Sequence, residues 1–365
     1  MKYIDEYREP ALVEGLLRQI HREMDMIARP VGIMEVCGTH TMAISRCALR
    51  DLLPGPLRLI SGPGCPVCVT SVEDVDRALS FAGIGNVMFV TFGDMLRVPG
   101  TERVTLQRLR ADGCDVRIIS SPRACLSLAE SNPGKNIIFM GIGFETTAPA
   151  VAALILTASA RGLQNLSVFS VHKVIPPAMK MLLDDPVLCL DGFLCPGHVS
   201  IVIGGAAYGF IPGAGAAAVI AGFEPVDVLE GIMMILRQIR KGERKVEIQY
   251  ARAVREEGNP RAREIMYSVF EPCDASWRGL GVIEASGLAL SDKFRTFDTR
   301  RRFPLPEIRS KEEPGCACGS ILKGVMTPGE CPLFEVRCTP EDPLGPCMVS
   351  SEGTCAAYYT YRRGR

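Results

Sequence analysis

Residues 136–160 read NIIFMGIGFETTAPAVAALILTASA, and the fold class turns on this stretch. Its opening is a short apolar run rich in Ile and Phe, which predicts a strand over 136–142. The later apolar residues run on too long for a strand and predict a helix over 147–160. Between them lies Gly143-Phe144-Glu145-Thr146-Thr147. Thr146 precedes an apolar helical run and is a natural N-cap. The same loop offers a proton-transfer group, Glu145, and two hydroxyl donors, Thr146 and Thr147.

The same arrangement recurs along the chain. Further strands are predicted over 31–36, 57–61, 87–91, 116–120, 167–171 and 199–203. Helices are predicted over 72–81, 101–111, 124–131, 176–183 and 225–239. Regular β–α alternation argues for parallel sheets covered by helices on both faces. The fold class expected is therefore α/β, with two parallel-sheet α/β lobes forming a cleft. Several strands run straight into a motif. Val36 leads into Cys37-Gly38-Thr39-His40, and Ser61 leads into Gly62-Pro63-Gly64-Cys65-Pro66-Val67-Cys68. Pro196-Gly197-His198-Val199-Ser200 is expected in a similar loop. Open α/β sheets bind ligands outside the carboxyl ends of their strands, so these motifs are candidates for one shared site.

Residues 1–30 carry Leu12, Leu16, Leu17, Ile20 and Met24 at helical spacing and predict one amphipathic helix. They are acidic and lack a continuous apolar stretch, which argues against a signal peptide. Residues 192–223 contain no Asp, Glu, Lys or Arg. They hold Pro196, His198, Pro212 and many glycines, so a buried strand, a Gly-rich turn and a small-residue helix suit them better than a membrane span. Residues 31–300 are assigned to the two lobes, with their mutual boundary open and a discontinuous division allowed. After about residue 300 the chain is rich in turns, and 301–365 is read as an irregular C-terminal domain.

Of 365 residues, 47% are hydrophobic and 22% charged, and 41 basic residues balance 41 acidic ones. No global field favours nucleic acid or an anionic membrane. Fifteen cysteines without a secretory signal point to the reducing cytoplasm, where thiols serve in metal binding, redox chemistry or packing.

Six of those cysteines lie in the last fifty residues: Cys316, Cys318, Cys331, Cys338, Cys347 and Cys355. A segment so poor in apolar periodicity needs something other than a core to order it. A [4Fe–4S] cluster on four thiolates would serve. A four-thiolate zinc site and plain packing are the alternatives, although zinc sites favour CxxC pairs and this tail has none. Cys316 and Cys318, one residue apart, should point to opposite sides of an extended chain. The set Cys316, Cys331, Cys338 and Cys355 leaves Cys318 and Cys347 as a candidate redox pair. Spacing alone does not prove that division.

Cys65 and Cys68 form a CxxC in a Gly/Pro loop, a pattern found in small-ring disulfides, soft-metal sites and redox dithiols. Cys37 adds a third loop thiol. His40, His172 and His198 all fall in or near predicted strand-end loops. Iron on Cys37, with Cys65 and Cys68 nearby, would keep open positions for diatomic ligands. Cys47, Cys114, Cys125, Cys189, Cys195 and Cys273 lack partner spacing and are read as packing residues.

CGTH at 37–40, GPGCPVC at 62–68, GFETTAP at 143–149 and PGHVS at 196–200 resemble the signature motifs of the HypD family of [NiFe]-hydrogenase maturation factors. The tail resembles the same family, whose cluster pattern Cys-x14-Cys-x6-Cys-x16-Cys is met by Cys316, Cys331, Cys338 and Cys355. The resemblance implies two α/β domains plus a cluster domain. It implies a scaffold on which the Fe(CN)2CO unit is built, working with a HypC-type small chaperone. Cyanide would come from a HypE-type carrier charged with the help of HypF. It implies Cys37 as iron ligand, with Cys65 and Cys68 as a redox pair and candidate iron ligands. Such a protein is a redox-active assembly factor rather than a conventional turnover enzyme. An iron–sulfur-dependent disulfide reductase using Cys65 and Cys68, and a zinc-stabilised binding module, are the competing readings.

Overall fold

The computed structural model describes residues 5–362. Residues 1–4 and 363–365, the outer ends of the expected 1–30 and 301–365 segments, lie outside the described residues.

Nine strands build two all-parallel sheets. The first has the order β2-β1-β7-β8-β9. Its strands are β1 (Val31–Glu35), β2 (Leu57–Ser61), β7 (Gly192–Pro196), β8 (Ala217–Ala221) and β9 (Val246–Ile248). The second has the order β4-β3-β5-β6, from β3 (Val87–Thr91), β4 (Asp115–Ile118), β5 (Asn136–Gly141) and β6 (Leu166–Ser170). The chain leaves the first sheet after β2, completes the second, and then returns for β7. The first sheet is therefore discontinuous in sequence.

Period-2 alternation decides which face each side chain serves. In β1 and β8, Ile33, Val219 and Ala221 join the helices Pro10–Ile27 and Pro225–Lys241 in one core. Their neighbours Met34 and Ile220 turn to the other side, into a core that also receives Phe89, Ile138 and Met140 from the second sheet. The outer face of the second sheet, with Val90, Ile137 and Phe139, packs on the helix Ala148–Ala160. Each sheet is thus covered on both faces, which is why β1, β3, β7 and β8 are buried at every position.

Three expectations need correction. Residues 199–203 are helical, within the helix Gly197–Ile203. Their β-branched run suggested a strand, but β7 and β8 are parallel neighbours, and a parallel pair requires a crossover between them. The predicted helix 101–111 is broken, because Glu102 and Arg103 take positive φ. Only Leu106–Ala111 is α-helical, capped by the Thr105 hydroxyl accepting from the Arg108 amide. Thr146 is exposed and does not cap the helix Ala148–Ala160. Thr147 holds the cap position, and its hydroxyl bonds the carbonyls of Ile142 and Phe144.

Residues 270–290, not expected as strands, form an antiparallel hairpin of β10 (Phe270–Trp277) and β11 (Gly281–Leu290). A register shift at Cys273/Ala275 and Pro272 within β10 blur its alternation. The hairpin tip reaches the tail. Gly279 has φ +73°, and a Cβ there would lie 2.1 Å from the Gly319 Cα.

This contact gives a test. Gly279→Ala is expected to destabilise the protein by at least about 1–2 kcal/mol from the left-handed backbone alone. Backbone collision with Gly319 should concentrate the damage in the tail. Hydrogen exchange is expected to accelerate around Cys316–Lys323 while the sheets stay protected. Uniform acceleration would contradict the contact.

Candidate functional site

In the first sheet, β1 leads to β2 on one side and β7 leads to β8 on the other. The switch point of strand order therefore lies between β1 and β7, where ligand crevices form. Cys37 stands there, at the cap position of the helix Gly38–Arg46. The loop after β2 crosses it at backbone distance. The Gly38 amide donates to the Gly64 carbonyl at 2.9 Å, and a Cβ on Gly64 would lie 2.2 Å from the Cys37 nitrogen. Cys65 follows at once, capping the short helix Pro66–Val69, and is disulfide-bonded to Cys68 with a Cα separation of 5.2 Å.

Sequence reasoning missed Glu35. Its carboxylate is fully buried and accepts from the Cys37 amide (3.3 Å), the Thr41 hydroxyl (2.7 Å) and the Ser61 hydroxyl (2.6 Å). Arg50 donates at 3.5 Å to Oε1, the oxygen shared by Thr41 and Ser61, and to the Ser61 hydroxyl at 2.6 Å, while Cys37 holds Oε2. One acid thus ties both strand-end loops together. A charge inside the otherwise apolar run VGIMEV was the available signal. Burial raises Glu35 to about 7 against the pull of Arg50, and raises the Cys37 thiol to about 12.

His40 is buried, and its Nε2 donates to the Gly222 carbonyl at 2.8 Å. Nδ1 has no partner, and burial lowers the ring to about 4, so it is neutral at pH 7. His198 is exposed and stacks on Phe223 at 4.0 Å, while His40 meets the same ring at 4.8 Å. Phe223 thus brings the two histidines together. His172 is buried just past the end of β6, beside Gly141 at the end of β5, with Nδ1 3.1 Å from the Ser170 hydroxyl.

The second sheet has its own switch point between β3 and β5, and Glu145 sits in the loop after β5. Gly143, at φ +139°, allows this turn, where a Cβ would overlap the Thr147 hydroxyl. Glu145 Oε1 accepts from the Ile175 amide at 3.0 Å, and Oε2 is buried without a partner. Burial raises this carboxyl to about 7. It lines a cavity of about 300 Å³ with Arg263 and Tyr267.

All six tail cysteines line one tight pocket, a cavity of only about 20 Å³, with Leu333, Phe334 and Met348. The chain is not extended at Cys316-Ala317-Cys318, because Ala317 turns into the helix Cys318–Lys323. Both thiols therefore face the same space, contrary to expectation. The sulfurs of Cys318 and Cys347 lie 2.9 Å apart, both buried. Among the described residues, no group of three or more His, Cys, Asp or Glu side chains converges as a ready metal site. Of the cysteines read as packing residues, Cys125 and Cys195 are buried, Cys47, Cys114 and Cys273 half-buried, and Cys189 exposed. Cys189 is thus the exception to that reading.

The pocket is built onto the motif loops. The Cys68 sulfur lies 3.9 Å from the Pro346 carbonyl, in the turn that carries Cys347. Thr39 donates to Glu352 at 2.7 Å, and a Cβ on Gly38 would strike the Glu352 side chain. Ser350 bonds Asp94 at 2.9 Å, and Arg103 pairs with Asp342. Glu352 carried no signal in the sequence, since only the fold brings it to Thr39.

The family model HypD, described as "Hydrogenase formation hypA family", matches residues 11–362. The chain is 46% identical over 375 residues to the hydrogenase maturation factor HypD of Rhodobacter capsulatus, covering 100% of this chain and 99% of that protein. It is 46% identical over 372 residues to the hydrogenase expression/formation protein HupD of Azotobacter chroococcum mcd 1, covering 100% and 98%. It is 43% identical over 372 residues to HypD of Escherichia coli (strain K12), covering 100% and 99%.

The buried Glu145 makes stability depend on pH. Its folded pKa of about 7 exceeds the 4.5 of an ordinary glutamate, so ionisation opposes folding increasingly as pH rises between them. Glu145→Gln keeps the acceptor for Ile175 and removes that penalty. Relative to the parent chain, the variant is expected to gain up to about 3 kcal/mol between pH 4.5 and pH 8. Urea denaturation at both pH values checks this, and a gain at low pH instead would reverse the assignment.

Proposed function

The chain belongs to the HypD family of hydrogenase formation proteins, and from that premise we propose that it is the scaffold and redox protein on which the Fe(CN)2CO group of [NiFe]-hydrogenase is assembled. One observation carries the reading: a six-thiol pocket packs directly on the Cys65–Cys68 helix, whose loop in turn touches Cys37 backbone to backbone.

Iron is the cargo, and Cys37 is its proposed ligand, with Cys65 and Cys68 beside it. Opening the Cys65–Cys68 bond takes two electrons and two protons and yields two thiols. In the tail, the donor set suits a resident [4Fe–4S] cluster. The side chains around the pocket are soft thiols and apolar groups, with no carboxylate or imidazole among them. Cys316, Cys331, Cys338 and Cys355 would hold it, and Gly345 leaves the close space beside the Cys316 sulfur that a Cβ would narrow to 3.0 Å. A cluster bound there supplies electrons singly. Cys318 and Cys347, at contact distance from each other, stand as the intervening pair toward Cys68. Residues 301–365 are then the cluster-binding part and 31–300 the two α/β lobes.

Glu145 and His40 are proposed to hold and move protons at the cleft, with Thr147 ordering the Glu145 loop and Thr146 and His198 at its rim. The partners proposed are a HypC-type chaperone that shares the iron and a HypE-type carrier, charged with HypF, that delivers cyanide. Neither nucleic acid nor membrane enters the scheme. No described helix is long and apolar enough to cross a membrane, and the free thiols suit the reducing cytoplasm. An iron–sulfur-dependent disulfide reductase is the second reading, favoured by the same disulfide abutting the thiol pocket.

Anaerobic purification with the small chaperone tests the proposal. Visible absorption of a cluster is expected together with infrared bands of iron-bound cyanide and CO. Cys37→Ala should abolish the infrared bands and leave the visible absorption. Alanine at Cys316, Cys331, Cys338 or Cys355 should bleach the visible absorption. A protein with cluster absorption and no infrared bands under maturation conditions would be the reductase, and a colourless zinc protein would sink both readings.

A further inference from the structure

The turn between β10 and β11 is wedged between the dithiol helix and the tail, and Arg278 stands in it. This arginine is buried. Its amide donates to the Val69 carbonyl at 2.9 Å and its Nε to the Thr70 carbonyl at 3.0 Å, both at the end of the Cys65–Cys68 helix. Its Nη1 pairs with Glu312 at 2.9 Å. These contacts leave Nη2 buried without a partner. An unpaired donor on a permanent buried cation is costly and asks for a reason.

Placement supplies one. Gly279, the next residue, is in backbone contact with Gly319, and Gly319 follows Cys318. Arg278 therefore sits where the thiol pocket meets the disulfide helix. Glu312, its counter-ion, is half exposed, so water screens that carboxylate more than it screens the buried guanidinium.

We propose that Arg278 is a positioning residue for electron transfer, whose fixed charge and free Nη2 donor hold the negative charge that each electron brings into the thiol pocket. This rests on the reading of that pocket as a cluster site. Each electron adds one unit of negative charge to a low-dielectric space, where a nearby cation counts for more than in water. Arginine remains charged at every accessible pH, so the compensation does not switch off. A purely structural Arg278, stapling hairpin to helix, would affect stability and leave the affinity for electrons alone.

The test is a redox titration of the full chain, purified anaerobically, with dithionite and mediators, following cluster absorption. Arg278→Met should lower the midpoint so that the reduced fraction at a set potential falls about tenfold, about 59 mV for one electron. Arg278→Lys should fall between the two. Glu312→Gln removes the counter-charge with Arg278 in place and should shift the midpoint the opposite way, which keeps the test decisive where Arg278→Met does not fold. Intact absorption with unshifted midpoints in Arg278→Lys and Glu312→Gln overturns the role of Arg278 alone. A parent protein without cluster absorption overturns the reading of the pocket, and Arg278's role with it.

Discussion

Two loops leave neighbouring parallel strands and meet backbone to backbone, with the Gly38 amide on the Gly64 carbonyl and no room for a side chain at Gly64. This contact is the constraint on which the site depends. It fixes Cys37 against the residue before Cys65 without relying on any long side chain. Glu35 then locks it, since its single carboxylate accepts from one loop through Cys37 and Thr41 and from the other strand through Ser61. A hydrogen-bonded acid at such a place stores specificity rather than stability, because its desolvation cost offsets much of what its bonds contribute.

Dryness governs the chemistry of the strand-end loops. Desolvation is the leading cause for each of their main groups: it raises Cys37, Glu35 and Glu145 and lowers His40. Near neutral pH the thiol and the imidazole are therefore uncharged, and the two carboxyls sit close to their titration points. Such surroundings repel a lone anion and gain from an arriving cation, which favours the thiolate it would bind. Under the proposed function, iron itself completes the electrostatics that the protein leaves open.

Strands β1 to β6 were legible as short apolar runs bounded by turns, as in 57–61 and 87–91, whose bounds agree with β2 and β3, whereas β7, β8 and β9 were not assigned at their own positions. The crossover helix Gly197–Ile203 was not legible, because residues buried on every side look alike in a strand and in a packed helix. The hairpin was hidden by its bulge and by Pro272. At the site, the thiols, His40 and Glu145 announced themselves by residue type. Glu352, Arg278 and Phe223 did not, because each acquires its partners only through contacts made across long stretches of chain.

The tail shows why residue type and topology have to be read together. By composition it looked like a segment ordered by its own metal. Yet five of its six cysteines are buried in the same core as Cys65 and Cys68, and a chain of contacts runs from Ser350 and Glu352 to Asp94 and Thr39. The pocket is lined by the tail itself, but it is packed against the loops it docks on. Geometry set in the pocket is therefore transmitted to Cys37 by packing. The Glu352 side chain that bonds Thr39 also fills the space over Gly38, so a shift of the tail must move the start of the helix that carries the thiol. A separate, flexibly tethered cluster domain would lack this coupling. The close approach of glycines at 38 and 64, and at 279 and 319, is what makes the coupling physically available.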